Sequence, residues 1–308
     1  MRHASLEHDI LQALDAVRMV DTHEHLDTEE EFCSSHVDLG RLFLHYANSD
    51  LVSAGCPPCD ILRLQEDTHL TPREKWRLIA PYWEWIRDTG YGRCLEIAAR
   101  DLYGLDGLCE GNAERLSECM AANRRPGFYR EVFDRAGIAV ALWNRLDRFG
   151  RLPRMWTPEY DRSLFVQDIL SPFLEFREPD WNEGWGRPIL CLDDYLGAIE
   201  ERFAAHARQA SAIKFNAAYF RPLRFEDRAR SEIEPLFNRL LNAGWERNGA
   251  MPTMGELRAI QGYLVHFCLQ QCARYDLVAK FHTGLQEGNG NTVTNSRAAL
   301  LANLFARY

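Results

Sequence analysis

The sequence predicts an α/β protein built on a parallel sheet, and three observations carry that prediction. Short, nearly continuous apolar stretches recur through the later two thirds of the chain, each preceded by a helical stretch, as βαβ units require. The first apolar stretch turns abruptly polar at its end, in Asp21-Thr22-His23-Glu24-His25. The chain has 308 residues, 46% of them hydrophobic and 26% charged, enough to bury one large α/β barrel or two ordinary domains.

Taken in order, residues 5–17 place Ile10, Leu11, Ala13, Leu14 and Val17 at helical spacing, which predicts an amphipathic lead-in helix. Residues 18–26 read as a short strand with a polar end. From about residue 38 to 130 the pattern is helical, broken by Gly and Pro, with helices expected over 73–88, 91–103 and 111–122. Strands are then expected at 137–143, 164–168, 211–216 and 276–282, and a last helix at 296–307. Their apolar continuity fits burial on both faces of a parallel sheet. Trp76, Trp83 and Trp85 are expected in the core of the inserted helices.

Composition narrows the function classes. Against 45 acidic residues stand 36 Lys and Arg, a formal charge of −9, which repels phosphate backbones and argues against a nucleic-acid partner. No apolar run reaches the length needed to cross a bilayer, and the N-terminus alternates charge with apolar residues, so no membrane association and a cytoplasmic location are expected. Nine scattered cysteines predict reduced thiols, and the Cys56-Pro57-Pro58-Cys59 pair, with no second pair at zinc-finger spacing, reads as a plain loop.

His23 and His25 are two apart, so on a strand both imidazoles point to one face and can share a divalent metal. His282 ends a later apolar strand before the Thr283-Gly284 turn and is the candidate third ligand. Lys214 interrupts the apolar Ala212-Ile213-Lys214-Phe215 strand, where an ammonium must find a partner or a function. It can bind a substrate carboxylate, become a metal-bridging carbamate, or reach the rim by its alkyl stem. Beyond it, Tyr219 and Arg221 are candidate substrate contacts, the guanidinium suiting a carboxylate. The Gln286-Glu287-Gly288-Asn289-Gly290-Asn291 loop reads equally as a ligand loop and as an ordinary turn.

The Asp21-Thr22-His23-Glu24-His25-Leu26 strand end, followed later by Lys280-Phe281-His282-Thr283-Gly284, resembles the amidohydrolase superfamily, in particular its amidohydrolase-related metal-dependent hydrolases. The helical excursion from Arg73 to Asp106 resembles the insert of uronate isomerases, a branch of that superfamily. The resemblance implies a (β/α)8 TIM barrel as a single domain over 1–308, with the insertion at about 38–130 following strand one. It further implies His23 and His25 as first-strand ligands, His282 as the fifth-strand ligand and Lys214 at the position of the bridging carbamate. A sixth-strand His and an eighth-strand Asp, which the family also uses, are not visible. The barrel is therefore expected to be incomplete, short of closure by on the order of 90 residues at roughly 30 per βα unit.

The function expected is a metal-dependent hydrolase in which activated water attacks a C–N or C–O bond of a small-molecule substrate. The cofactor expected is Zn²⁺, with Mn²⁺, Fe²⁺, Co²⁺ or Ni²⁺ also compatible with imidazole ligands. One alternative is a uronate-isomerase-like isomerase or a decarboxylase acting on a carboxylated substrate. Another is an inactive, truncated fragment that serves as a partner to another chain. Self-association into a homo-oligomer is compatible with all three.

Overall fold

The computed structural model describes residues 2–143, 163–165, 188–208, 210–246 and 252–308. The chain divides into two compact units: residues 1–26, 138–286 and 292–308 form one, and residues 27–137 with 287–291 the other. The helical excursion thus extends from Asp27 to Gly137, wider than the expected 38–130.

The first unit begins with α1 (Arg2–Asp15) and β1 (Met19–Glu24), and β1 pairs in parallel with β2 (Ile138–Trp143). Among the described residues its other strands are β3 (Ser163–Phe165), β4 (Ala212–Phe215) and β5 (Val278–Phe281), a parallel group with β4 in the centre. Of the strand expected at 164–168, only residues 164 and 165 fall among the described residues. Parallel pairing requires long crossovers, and α9 (Leu192–His206) lies between β3 and β4 in the chain. α10 (Arg230–Glu246) and α11 (Met254–Tyr275) lie between β4 and β5.

Why β4 is central follows from its composition. Ile213 and Phe215 are buried in a core with Tyr195, Ile199 and Phe203 of α9, Phe237 and Leu240 of α10, and Leu264 and Cys268 of α11, and Ala212 is buried as well. Phe215 stacks on Phe281 of β5 with ring centroids 4.5 Å apart. Each such large apolar side chain contributes about 1.5–3 kcal/mol on burial. The start of the unit is packed differently. Helix α1 forms where expected, but its stripe of Leu6, Ile10, Leu11 and Leu14 is exposed.

The helix expected at 296–307 is broken. Two 3-10 turns, Val293–Ser296 and Ala298–Leu301, flank an extended Arg297 (φ −65°, ψ 119°) and lead into the four-residue α12 (Ala302–Phe305). β-Branched Val293 and Thr294 weaken the start of a regular helix, and Leu301 and Leu304 drop into the core instead.

The second unit is helical: α2 (Glu29–Ser34), α3 (Tyr46–Ser53), α4 (Pro58–Glu66), α5 (Pro72–Ile86), α6 (Gly90–Asp101), α7 (Ala113–Ala122) and α8 (Phe128–Arg135). Thr71 and Glu74 close a reciprocal capping box at the start of α5, where Pro72 sits at the position that needs no N–H. Trp76, Ile79, Trp83 and Ile86 fall on one face of α5 and enter a core with Leu39, Phe43 and Leu64. Trp85 departs from expectation. It lies two residues from Trp83, on the opposite face, and is 78% exposed. Cys56-Pro57-Pro58-Cys59 is also not a loop: extended Pro57 caps α4, Pro58 opens it, and Cys59 lies in its first turn. All nine cysteines are free.

One buried ion pair fixes this unit. Lys75 is fully buried and its Nζ stands 2.7 Å from Asp38 Oδ2, while Asp38 Oδ1 accepts from the Gly40 N–H at 2.8 Å. The 287–291 loop turns back on itself through Gly288 and Gly290, both at φ +84°, and Glu287 reaches His45 Nδ1 at 2.7 Å. Its hydrogen bonds are those of an anchored turn.

Candidate metal centre

β1 delivers its two imidazoles as the two-residue period requires. His23 Nε2 and His25 Nε2 face each other at 2.8 Å, with ring centroids 4.7 Å apart. His282, directly after β5, brings its ring to 6.0 Å from that of His23. Lys214, on β4 beside β5, places Nζ 2.7 Å from His23 Nδ1. Four residues from three strand ends, far apart in sequence, therefore converge. All of them belong to the first unit.

Hydrogen bonding orders the cluster. An N–H of Lys214 donates to His23 Nδ1, which puts the His23 proton on Nε2, aimed at His25. His282 Nε2 meets the Leu285 carbonyl at 2.9 Å, the arrangement that holds a ligating imidazole through its second nitrogen and leaves Nδ1 available. Tyr219 stacks obliquely on His282, with centroids 5.0 Å apart.

Electrostatics keep His23 and His282 neutral. His23 is held down to about 3, first by desolvation, then by Lys214, His25, Lys280 and His282. Burial likewise lowers His282, with Lys214 adding to it and the Leu285 carbonyl opposing. Lys214 is itself pushed down to about 7 by desolvation and then by Lys280. Two residues escaped the reading of the sequence. Lys280 of β5 donates to the Thr22 carbonyl at 2.7 Å and is pushed down to about 8, chiefly by burial. Glu24 is raised to about 7 by burial, then by its hydrogen bond to Asp21 and by that residue's charge.

The donor set suits a divalent ion. Neutral imidazoles are the protonation state that a metal needs, and the two Nε2 atoms, 2.8 Å apart, would have to part by about half an ångström to reach the roughly 3.3 Å spacing of two nitrogens on a tetrahedral ion. As the side chains stand, no group of three His, Cys, Asp or Glu among the described residues is already gathered into a ligand set. The proton shared by His23 and His25 must leave before a metal can enter, and His282 must present Nδ1.

Arg221 is placed elsewhere. It is buried, its Nε donates to the Pro222 carbonyl, Nη1 to the Arg258 carbonyl and Gln261 Oε1, and Nη2 to the Arg224 carbonyl, all within 3.1 Å. It also lies 4.5 Å over the Phe225 ring. The chain itself therefore occupies the donors expected to hold a substrate carboxylate. Asn216 and Gln286, which flank the site residues in sequence, are buried with unpartnered side-chain atoms, Oδ1 in the first and both Oε1 and Nε2 in the second. A cavity of about 470 Å³ bordered by Arg224, Glu226, Asp227, Arg228 and Glu232 shares none of these residues, and its Arg224 and Arg228 pair with Glu226 and Glu232.

No known family profile matches the chain. It does have an α/β fold similar to that of uronate isomerases. It superposes on the glucuronate isomerase of Caulobacter crescentus with a TM-score of 0.69 and 17% identity, over 95% of this chain and 66% of that one. The uronate isomerase of Thermotoga maritima gives 0.69 and 12%, over 94% and 68%. In sequence, the chain is 25% identical over 258 residues to the uronate isomerase of Corynebacterium efficiens, which covers 78% of this chain and 52% of that protein. The chain thus spans about half the length of this curated relative. A candidate metal-dependent hydrolase of Lactobacillus casei is a more distant structural neighbour, at a TM-score of 0.53 and 14% identity over 96% and 66% of the two chains. Among the described residues, no helix is long and apolar enough to cross a membrane.

Proposed function

We propose that this chain carries the metal centre of an enzyme of the uronate isomerase kind, which interconverts the aldose and ketose forms of a carboxylated sugar. The observation that carries the reading is the convergence of His23, His25 and His282 with Lys214 at neighbouring strand ends, in a chain related in sequence to a uronate isomerase. Parallel strands leave their C-terminal ends open to loops, which is where (β/α)8 enzymes place their chemistry. A closed eight-stranded barrel is part of this proposal, since the described strands form two parallel groups.

His23 and His25 through Nε2 and His282 through Nδ1 would hold a divalent ion, which when bound supplies a Lewis acid for sugar oxygens. His ligands are compatible with Zn²⁺ and with other first-row ions. The remaining chemistry belongs to the chain's own residues. Lys214 fixes the His23 ring through Nδ1, the Leu285 carbonyl fixes His282, and Tyr219 packs obliquely against the His282 ring. Isomerisation moves one hydrogen from C2 to C1 and one proton from the C2 hydroxyl to the C1 oxygen, so it is redox-balanced within the substrate and needs no external oxidant.

A second reading, hydrolysis of a C–N or C–O bond by activated water, is supported by the hydrolase-like neighbour and uses the same histidines. The two separate in one assay. The full chain, supplied with Zn²⁺ or Mn²⁺, should convert D-glucuronate to its keto acid, and His23→Ala should abolish the conversion. Turnover of amide or lactone substrates with none of D-glucuronate would support hydrolysis, and glucuronate turnover untouched by His23→Ala would exclude this centre.

A further inference from the structure

The chain contains only three lysines, Lys75, Lys214 and Lys280, while its many remaining basic residues are arginines. Lys75 is consumed by the buried pair with Asp38. The other two lie side by side. Lys214 of β4 and Lys280 of β5 are direct partners in the parallel register, so their side chains leave the sheet on the same face. Both reach β1, at His23 Nδ1 and at the Thr22 carbonyl, each at 2.7 Å.

Neither ammonium has an ion-pair partner within 4 Å among the described residues, although the charge of Asp21 on β1 acts on Lys280. Two like charges taken out of water side by side raise the free energy of the fold unless an anion offsets them. Asn216, directly after β4 and two residues beyond Lys214, holds a buried Oδ1 with no donor among the described residues. A ligand that satisfies all three groups carries an anionic head and at least one hydroxyl.

We infer that Lys280, with Lys214 beside it and Asn216 beyond, forms a subsite for the carboxylate and an adjacent hydroxyl of a polyhydroxy acid. This deepens the uronate reading, on which it rests for the identity of the sugar, and it replaces Arg221 as the group that recognises the acid.

Calorimetric titration of D-glucuronate and of D-glucose into the full chain tests this, once with metal and once after EDTA treatment, with bound metal measured by elemental analysis. The wild type should bind glucuronate more tightly than glucose under both conditions. Lys280→Met should weaken glucuronate binding by about tenfold or more, the effect of losing one charged hydrogen-bond partner, while leaving glucose binding and metal content unchanged. Lys280→Arg should restore most of the loss, a rescue that a purely structural role in holding Thr22 would not tie to the acid. Glucuronate binding untouched by Lys280→Met, or a wild type that does not distinguish the acid from glucose, would overturn the subsite while leaving the metal centre standing. A wild type that takes up no metal but loses its preference for the acid in Lys280→Met would overturn the metal reading and leave the subsite.

Discussion

Lys214 Nζ stands 2.7 Å from His23 Nδ1, and that contact joins β4 to β1 across 191 positions of sequence. A lysine on a buried strand thereby fixes the tautomer of a histidine whose other nitrogen faces His25. The relationship assigns Lys214 a positioning role that does not depend on its becoming a carbamate.

Arg221 separates recognition of substrate from support of the fold. Its guanidinium donates to three backbone carbonyls and to Gln261, so Arg221→Ala removes those bonds and leaves buried acceptors behind. The expected cost is about 2–4 kcal/mol of stability, read as a lower denaturant midpoint, with no preferential loss of binding to acidic sugars. A specific rise in KM for acids at unchanged stability would return Arg221 to the substrate site.

The Asp38–Lys75 pair makes a similar claim in the helical unit. Asp38→Ala strands a fully buried ammonium and removes the acceptor for the Gly40 N–H, with an expected cost of about 3–5 kcal/mol. The double variant Asp38→Ala/Lys75→Met should recover part of that loss. Urea unfolding of the three proteins checks it, and a single variant within 1 kcal/mol of wild type, roughly the median for an exposed pair, would contradict the buried pairing.

Acid should act on the helix starts. The Glu256 carboxyl is held below its usual 4.5 by the Thr253 N–H, then by Arg239, then by the Thr253 hydroxyl. A depressed acid pKa means that the stabilisation is full above 4.5 and fades as pH falls through the lower folded value. Thr253→Ala should therefore melt below wild type at neutral pH, and the gap should narrow below pH 4.5. A gap independent of pH would show that the Thr253 hydroxyl adds nothing through the carboxylate.

The parts of this account that the sequence carried are the ones that rest on short periods. The two-residue spacing of His23 and His25 is enough to put both rings on one face, and the apolar run around Lys214 is enough to place it on a buried strand. Trp76 and Trp83 are legible from helical spacing, and the same spacing, counted correctly, turns Trp85 outward. What depended on pairing between distant strands was not legible. Lys280 resembles an ordinary strand residue until the register sets it against Lys214, and Arg221 resembles a surface arginine until the carbonyls of Arg224 and Arg258 close around it. The exposed stripe of α1 shows the converse: periodicity predicted the helix but carried no information about what covers it.

Elemental analysis of the purified full chain beside a His23→Ala/His25→Ala variant tests the central claim most directly. The account predicts stoichiometric divalent metal in the wild type, lost from a variant that remains folded by circular dichroism, because the facing Nε2 atoms supply two of the three ligands. Metal-free wild type after loading with Zn²⁺ or Mn²⁺, or metal retained by the double variant, would contradict it.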